Sequence, residues 1–319
     1  TPKYLFLTIL ATIPHFPGPQ QLNSSKVFSI FTRNFQSIFM ALAGSKKLLN
    51  LLFFILLSTT LSAQEYGLQL YSLRDQFAKD ASGTMAKVKE MGFRNVEMAG
   101  THGLEFPEFI RLLAQNKLKV VSFAADFERL KSEPHKVVEE ARSYGAQFIV
   151  CTWIPHEDDK FSAADVDRAT EVFNAAGRVI SAYGLLLCYH PHGYEFKSYG
   201  DSTLFDYMVK KLDQRYVYLE MDVFWMKQAG QDPLALLKKY PTRFVLMHLK
   251  DRKVGTPNSG NGKSDVETNV RLGTGDVGIA EIIREAKKLG IKHYFLEDES
   301  SRAEEQLPKS LAYLKSLQQ

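Results

Sequence analysis

Eight short apolar runs, each followed by a segment with helical spacing, limit what this chain can fold into more than any other feature of it. The runs predict strands over Gly67–Tyr71, Asn95–Met98, Lys119–Ala124, Phe148–Thr152, Leu185–His190, Val217–Asp222, Phe244–His248 and His293–Glu297. Runs with little polar alternation suit strands buried on both faces, as in a parallel sheet covered by helices. Between them, Thr84–Met91, Phe106–Gln115, Pro134–Tyr144, Ala164–Tyr183 and Ile279–Leu289 predict helices. Gly92, Gly145, Gly184 and Gly290 stand where a helix ends before the next strand. Eight βα units in one composition regime predict an α/β fold, a single (β/α)8 TIM barrel over residues 64–319, in preference to an open sheet.

The last four runs all finish on a side chain that binds metals. Leu185–Tyr189 leads into His190-Pro191-His192, Val217–Met221 into Asp222, Phe244–Met247 into His248, and Tyr294–Leu296 into Glu297. Active sites of such barrels sit at the carboxyl ends of the strands, so His190, Asp222, His248 and Glu297 predict one divalent ion at the mouth. Two imidazoles and two carboxylates suit Mn²⁺, Co²⁺ or Zn²⁺ better than Mg²⁺, which favours oxygen donors. Residues two apart on a strand share a face, so Glu220 is an alternative to Asp222, Glu299 to Glu297, and His192 to His190. Gln69, Tyr71, Glu97, Trp153 and His156 also follow strand ends and are candidate substrate contacts, with Trp153 offering an aromatic face to a sugar ring. Lys250 lies two residues beyond His248, within Lys250-Asp251-Arg252-Lys253, a stretch that also reads as a solvated charge run.

Charge gives no reason to expect a nucleic-acid partner. The formal charge is +4, but Lys3, Lys26, Arg33, Lys46 and Lys47 fall in residues 1–63, which hold no acidic residue. The rest carries 35 basic against 36 acidic residues, a net of −1. Met40, Lys46-Lys47, the apolar run from Leu48 to Leu57 and Leu61-Ser62-Ala63 together have the form of a secretory signal. Residues 1–39 read as a non-structural upstream segment and 40–63 as the signal, with a mature start at Gln64. The apolar run is about half the ~20 residues that span a bilayer, so no stable membrane anchor is expected. Cys151 and Cys188 lie in apolar runs and read as buried free thiols. About thirty residues rich in Gly, Asn, Ser and Lys separate His248 from the helix near Ile279, and a loop of that length leaving a barrel mouth predicts a lid. Its tail, Leu272-Gly273-Thr274-Gly275-Asp276, predicts a turn and not a dinucleotide site.

Leu68-Gln69-Leu70-Tyr71-Ser72-Leu73-Arg74, Tyr189-His190-Pro191-His192-Gly193-Tyr194-Glu195-Phe196, Glu220-Met221-Asp222-Val223-Phe224-Trp225, His248-Leu249-Lys250-Asp251 and Leu296-Glu297 together resemble the xylose-isomerase-like barrels, commonly called sugar phosphate isomerases/epimerases. The resemblance runs from Tyr66 to about Leu317. It implies one divalent metal on four residues of strands five to eight, typically Glu, Asp, His and Glu. Asp222, His248 and Glu297 match, while His190 stands where the family has its first carboxylate. The implied chemistry is proton abstraction next to the carbonyl of a sugar or keto-sugar, with an enediolate stabilised by the metal and His192, Glu297 and Lys250 as the catalytic candidates. Return of the proton gives epimerisation or isomerisation, and loss of a β-substituent gives elimination, the route by which relatives cleave 3-keto-glycosides. An exported protein (periplasmic or extracellular) meets few sugar phosphates, and the sequence has no glycine-rich phosphate cradle, so the expected partner is a neutral sugar or keto-glycoside. A secreted sugar-binding barrel without catalysis and an abasic-site endonuclease, which shares the barrel, are the alternatives. Oligomeric state is not legible in the sequence.

Overall fold

The structure, a computed structural model, describes residues 66–318. The readings of residues 1–63 as leader and signal lie outside the described residues. Eight strands form a closed parallel barrel: β1 Tyr66–Gln69, β2 Asn95–Met98, β3 Lys119–Ala124, β4 Phe148–Cys151, β5 Leu186–Tyr189, β6 Val217–Asp222, β7 Phe244–Leu249 and β8 His293–Leu296. Each pairs with its neighbours in sequence, and β8 closes on β1 through Tyr66↔Tyr294 and Leu68↔Leu296. The principal helices outside are α1 Ala81–Glu90, α2 Phe106–Asn116, α3 Pro134–Ser143, α4 Ala163–Ala182, α5 Leu204–Lys211, α6 Pro233–Lys239, α7 Ile279–Lys288 and α8 Ala303–Ser316. Among the described residues no helix is long and apolar enough to cross a membrane.

Local chemistry explains where these helices start and which face they bury. The Ser162 and Asp165 side chains cap the first turn of α4 reciprocally, and Pro134 and Pro233 occupy first-turn positions where no N–H is needed. In α7, Ile279, Ile282, Ile283 and Ala286 recur on one stripe and are all buried against the barrel.

The barrel interior is filled in layers. Alternate residues of the strands place Val121, Phe148, Val150, Cys188, Leu246 and Phe295 in one apolar cluster, separate from the larger core between strands and helices. Gly67 makes room for this layer, since a Cβ there would meet the Phe295 ring at 2.6 Å. Burying a side chain such as Phe295 or Leu246 contributes roughly 1.5–3 kcal/mol, so this plug gives the layer above it a firm floor. Cys151 and Cys188 are buried free thiols, as expected.

The long connection after β7 is not structureless. Asp251–Arg252 pairs antiparallel with Asn269–Val270, and Val266–Thr268 forms a 3-10 turn. The Asp251 carboxylate accepts from the N–H groups of Gly273, Gly275 and Val277, so the expected turn at Leu272–Asp276 wraps around a buried carboxylate. Arg252 is buried too, held by Asp276 at 2.9 Å and Asn258 at 2.8 Å. Lys250, Asp251 and Arg252 are thus interior groups, which corrects the reading of this run as solvated charge; only Lys253 is exposed.

Candidate active site

Above the apolar plug, strand parity brings Gln69, Glu97, His190, Glu220, Asp222, His248, Lys250 and Glu297 to the mouth, all buried except half-buried Glu297. The two histidines each have one nitrogen held by a carboxylate. His248 Nε2 lies 2.7 Å from Glu97 Oε1, which also accepts from Gln69 Nε2 at 2.6 Å, and His190 Nδ1 lies 3.0 Å from Glu220 Oε2. Their other nitrogens converge. His190 Nε2 is 3.8 Å and His248 Nδ1 is 3.9 Å from Asp222 Oδ2, while His248 Nδ1 is 3.2 Å from Glu297 Oε2.

That arrangement fits a metal ion. Ligand bonds of about 2.1 Å on a tetrahedral ion put two donor atoms about 3.4 Å apart, close to the three separations found. His190 Nε2 and Asp222 Oδ2 are buried and have no hydrogen-bond partner among the described residues, although buried polar atoms are normally satisfied. Asp222 Oδ1 caps the short helix Val223–Gln228 by accepting from Phe224 and Trp225, which leaves Oδ2 free to turn inward. Carboxylates behind metal-binding histidines fix the tautomer and ring orientation, the role Glu97 and Glu220 would take with an ion bound on the Asp222 side. A second grouping, His190, Glu220 and His248, also has its donor atoms near one another, on the opposite side of the His248 ring.

The electrostatics follow from this crowding. Burial alone would lower the His248 pKa, but Glu220, Glu97 and Glu297 outweigh it and raise it well above the ordinary value. His190 is held neutral by burial and by the neighbouring His248 and His192. Asp222 is raised to about 6 by burial, against the pull of Lys250. For Glu297, burial is overcome by Lys250 and His248, which hold it well below its usual range. Lys250 Nζ lies 3.3 Å from Glu297 Oε2, pairs with Glu299, and sits under the Phe224 and Trp225 rings at 5.2 and 5.4 Å.

His192 is half-buried beside this set, its ring centroid 4.7 Å from that of His190 and 5.3 Å from Trp225. Burial and Lys250 lower its pKa to about 4, so its imidazole is neutral at pH 7, and Nδ1 is buried without a partner. Glu195 holds it in place, a role sequence reasoning missed. The fully buried Glu195 carboxylate accepts from the N–H groups of His192 at 3.2 Å and Gly193 at 2.8 Å and from the Tyr189 hydroxyl. The signal was present as a carboxylate inside an apolar stretch, two residues after a glycine.

Among the described residues Glu195 has no cationic partner, and burial raises its pKa from 4.5 to about 7. Between those values the folded state keeps a proton that the unfolded chain has lost, so its contribution is full below about 4.5 and falls as pH rises through 7, by about 3 kcal/mol. Urea unfolding at pH 5 and pH 8 should show this loss in the wild type and a flatter dependence in Glu195→Gln; equal slopes would contradict it.

Several expected substrate contacts are placed differently. Gln69 bonds to Glu97 and Glu97 Oε1 to His248, while Glu97 Oε2 is buried without a partner among the described residues. Tyr71 does not end β1: Gln69 Oε1 accepts its N–H, a 3-10 turn begins, and the exposed ring lies under Arg74 at 4.7 Å. His156 is packed between Trp153 and Tyr194, with Nδ1 2.7 Å from the Ile154 carbonyl. Trp153 is 38% exposed, but Tyr194 and His156 pack on it and the loop backbone crosses at Gly262. Gly262 has φ +72°, and a Cβ there would stand 2.9 Å from Tyr194 and 3.3 Å from Trp153. Lys263 ties the same loop to Asp158 at 3.0 Å. Together these residues wall the mouth, leaving a cavity of about 230 Å³ lined by Trp225, Lys250, Ser264, Val266, Asn269 and Glu299.

The comparisons agree with this architecture. "Inosose dehydratase" from two Salmonella strains is 30% identical over 117 residues, 36% of this chain and 37% of the relative, so the match spans little more than a third of those proteins. A sugar phosphate isomerase/epimerase structure from Parabacteroides distasonis superposes with a TM-score of 0.67 at 22% identity, covering 81% of this chain and 98% of that one. A xylose isomerase-like barrel from Mycobacterium smegmatis in complex with magnesium gives 0.62 at 17% identity, covering 80% and 96%. A structure of the IolI protein with a zinc atom gives 0.60 at 12%, covering 79% and 97%. At these identities the solved structures bear on the fold alone. The family described as xylose isomerase-like TIM barrel matches residues 85–317, and the chain belongs to that family.

Proposed function

We propose that this chain is a divalent-metal-dependent enzyme that removes a proton next to the carbonyl of a sugar or keto-sugar and expels a β-substituent. The observation that carries the reading is the convergence of His190, Asp222, His248 and Glu297, with His190 Nε2 and Asp222 Oδ2 buried and unpartnered, beside a neutral His192 whose Nδ1 is also unpartnered. The ion would supply Lewis-acid stabilisation of the charge that grows on the carbonyl oxygen. His192 takes the proton, a step worth roughly 10²–10⁴-fold in rate. Lys250, held under Trp225 and Phe224 against Glu297 and Glu299, adds fixed positive charge at the mouth.

Elimination is favoured over epimerisation by the commitments of these groups. Epimerisation needs a second acid/base group on the opposite face of the carbon, and Glu297 is already bound to Lys250 and His248. Elimination can run on one face with one group: His192 takes the α-proton and, as the imidazolium, returns it to the oxygen of the β-substituent, which departs as water or an alcohol. The dehydratase names of the curated relatives support the same reading. The test is solvent-deuterium uptake and product formation by the metal-loaded protein on 3-keto-glycosides, inososes and free ketoses, followed by NMR. Turnover of a keto substrate is expected, falling about 10²–10⁴-fold in His192→Asn with metal retained. Full turnover in that variant, or metal loss from it, would remove His192 from the role.

A further inference from the structure

The other end of the barrel holds a cation that nothing at the mouth explains. Arg243 immediately precedes β7 and is only 7% exposed. A guanidinium carries five N–H donors and stays charged. Among the described residues it reaches one acceptor, the Leu212 carbonyl at 3.4 Å; Nε reaches none, and the side chain makes no ion pair. Leaving a buried charge unpaired is costly.

Arg243 lines an open depression of about 700 Å³ together with Lys210, Lys211, Lys239, Thr242 and Asp213. Asp213 is the only carboxylate on that wall, and Arg215 already holds it at 2.7 Å. Lys211 and Lys239 are paired sideways with Asp167 and Asp206, while exposed Lys210 makes no ion pair among the described residues. The depression thus presents two cations that make no ion pair among the described residues, one of them buried, short of acceptors and opposed only through space by Asp213.

We propose that this depression binds a phosphate-type oxyanion, with Arg243 as the donor at its base and Lys210 and Lys239 at its rim. A planar guanidinium suits two oxygens of one such anion, and charge-assisted hydrogen bonds are the stronger kind. The site is separate from the mouth and does not depend on the reaction proposed there.

The test is calorimetric titration of the whole protein with inorganic phosphate and, separately, with a hexose phosphate, at constant ionic strength. Saturable binding of inorganic phosphate is expected, weakened about 10–100-fold in Arg243→Gln, the loss that follows from removing hydrogen bonds to a charged group. His248→Ala should bind phosphate as the wild type does. Tighter binding of the hexose phosphate than of inorganic phosphate, still lost in Arg243→Gln, would support the site with an organic phosphate as its ligand. Should Arg243→Gln fail to fold, the surface pair Lys210→Gln with Lys239→Gln decides, and it must weaken binding. Absence of phosphate binding, binding unchanged in these variants, or binding abolished by His248→Ala would each overturn the proposal.

Discussion

His248→Ala should hold no stoichiometric metal, whereas Glu97→Gln should still bind it with affinity reduced about 10–100-fold. The difference follows from which side of the ring each substitution removes. His248 Nδ1 faces Asp222 and Glu297, while Nε2 is engaged by Glu97 with Gln69 behind it. Glutamine keeps the size of Glu97 but not its charge, so the ring stays in place with a poorer acceptor. Equilibrium dialysis with elemental analysis reads both variants. Retention of one metal per chain by His248→Ala would place the ion elsewhere, and full affinity in Glu97→Gln would remove that carboxylate from the role.

The largest expected effect on stability is at Lys250. It is 1% exposed and offsets the charge of Glu297 and Glu299. Lys250→Met preserves much of the stem that packs under Phe224 and Trp225 but leaves Glu299 without its cation and Glu297 with His248 alone. Breaking a buried pair in this way costs about 3–5 kcal/mol. Metal-free protein is the right sample, because a bound cation would offset part of the loss. Urea unfolding of metal-free wild type and variant measures it, and a difference under about 1 kcal/mol would show that the carboxylates are relieved by water or by His248 instead.

The strands were legible because apolar runs buried on both faces are hard to disguise: Asn95–Met98, Lys119–Ala124 and Val217–Asp222 fall where the sequence places them. Strand-end position likewise brought His190, Asp222, His248 and Glu297 to one place, since parity and a shared barrel end are enough. The second row of residues was not legible. Register shifts fall between Val96 and Glu97 in the β2–β3 pairing and between Leu219 and Glu220 in the β6–β7 pairing. Bulges re-aim side chains, and here they sit at the two carboxylates that hold the histidines. A shift of pairing leaves no mark in a single strand's own pattern, so the contacts of Glu97 and Glu220 with the histidines were not legible. Tyr71 was misplaced because its N–H donates to Gln69 Oε1 and the strand ends early. The burial of Lys250 was hidden for a different reason: its partners Glu297 and Glu299 lie about fifty residues away on the next strand's end.

The central claim, one ion between the inward-facing atoms of His190, Asp222, His248 and Glu297, is tested most directly by crystallising the protein with Mn²⁺ and locating the ion by its anomalous scattering. The account predicts a single peak bounded by His190 Nε2, Asp222 Oδ2, His248 Nδ1 and Glu297 Oε2. A peak on the other side of the His248 ring, among His190 Nδ1, Glu220 and His248 Nε2, or no peak at the mouth, would contradict it.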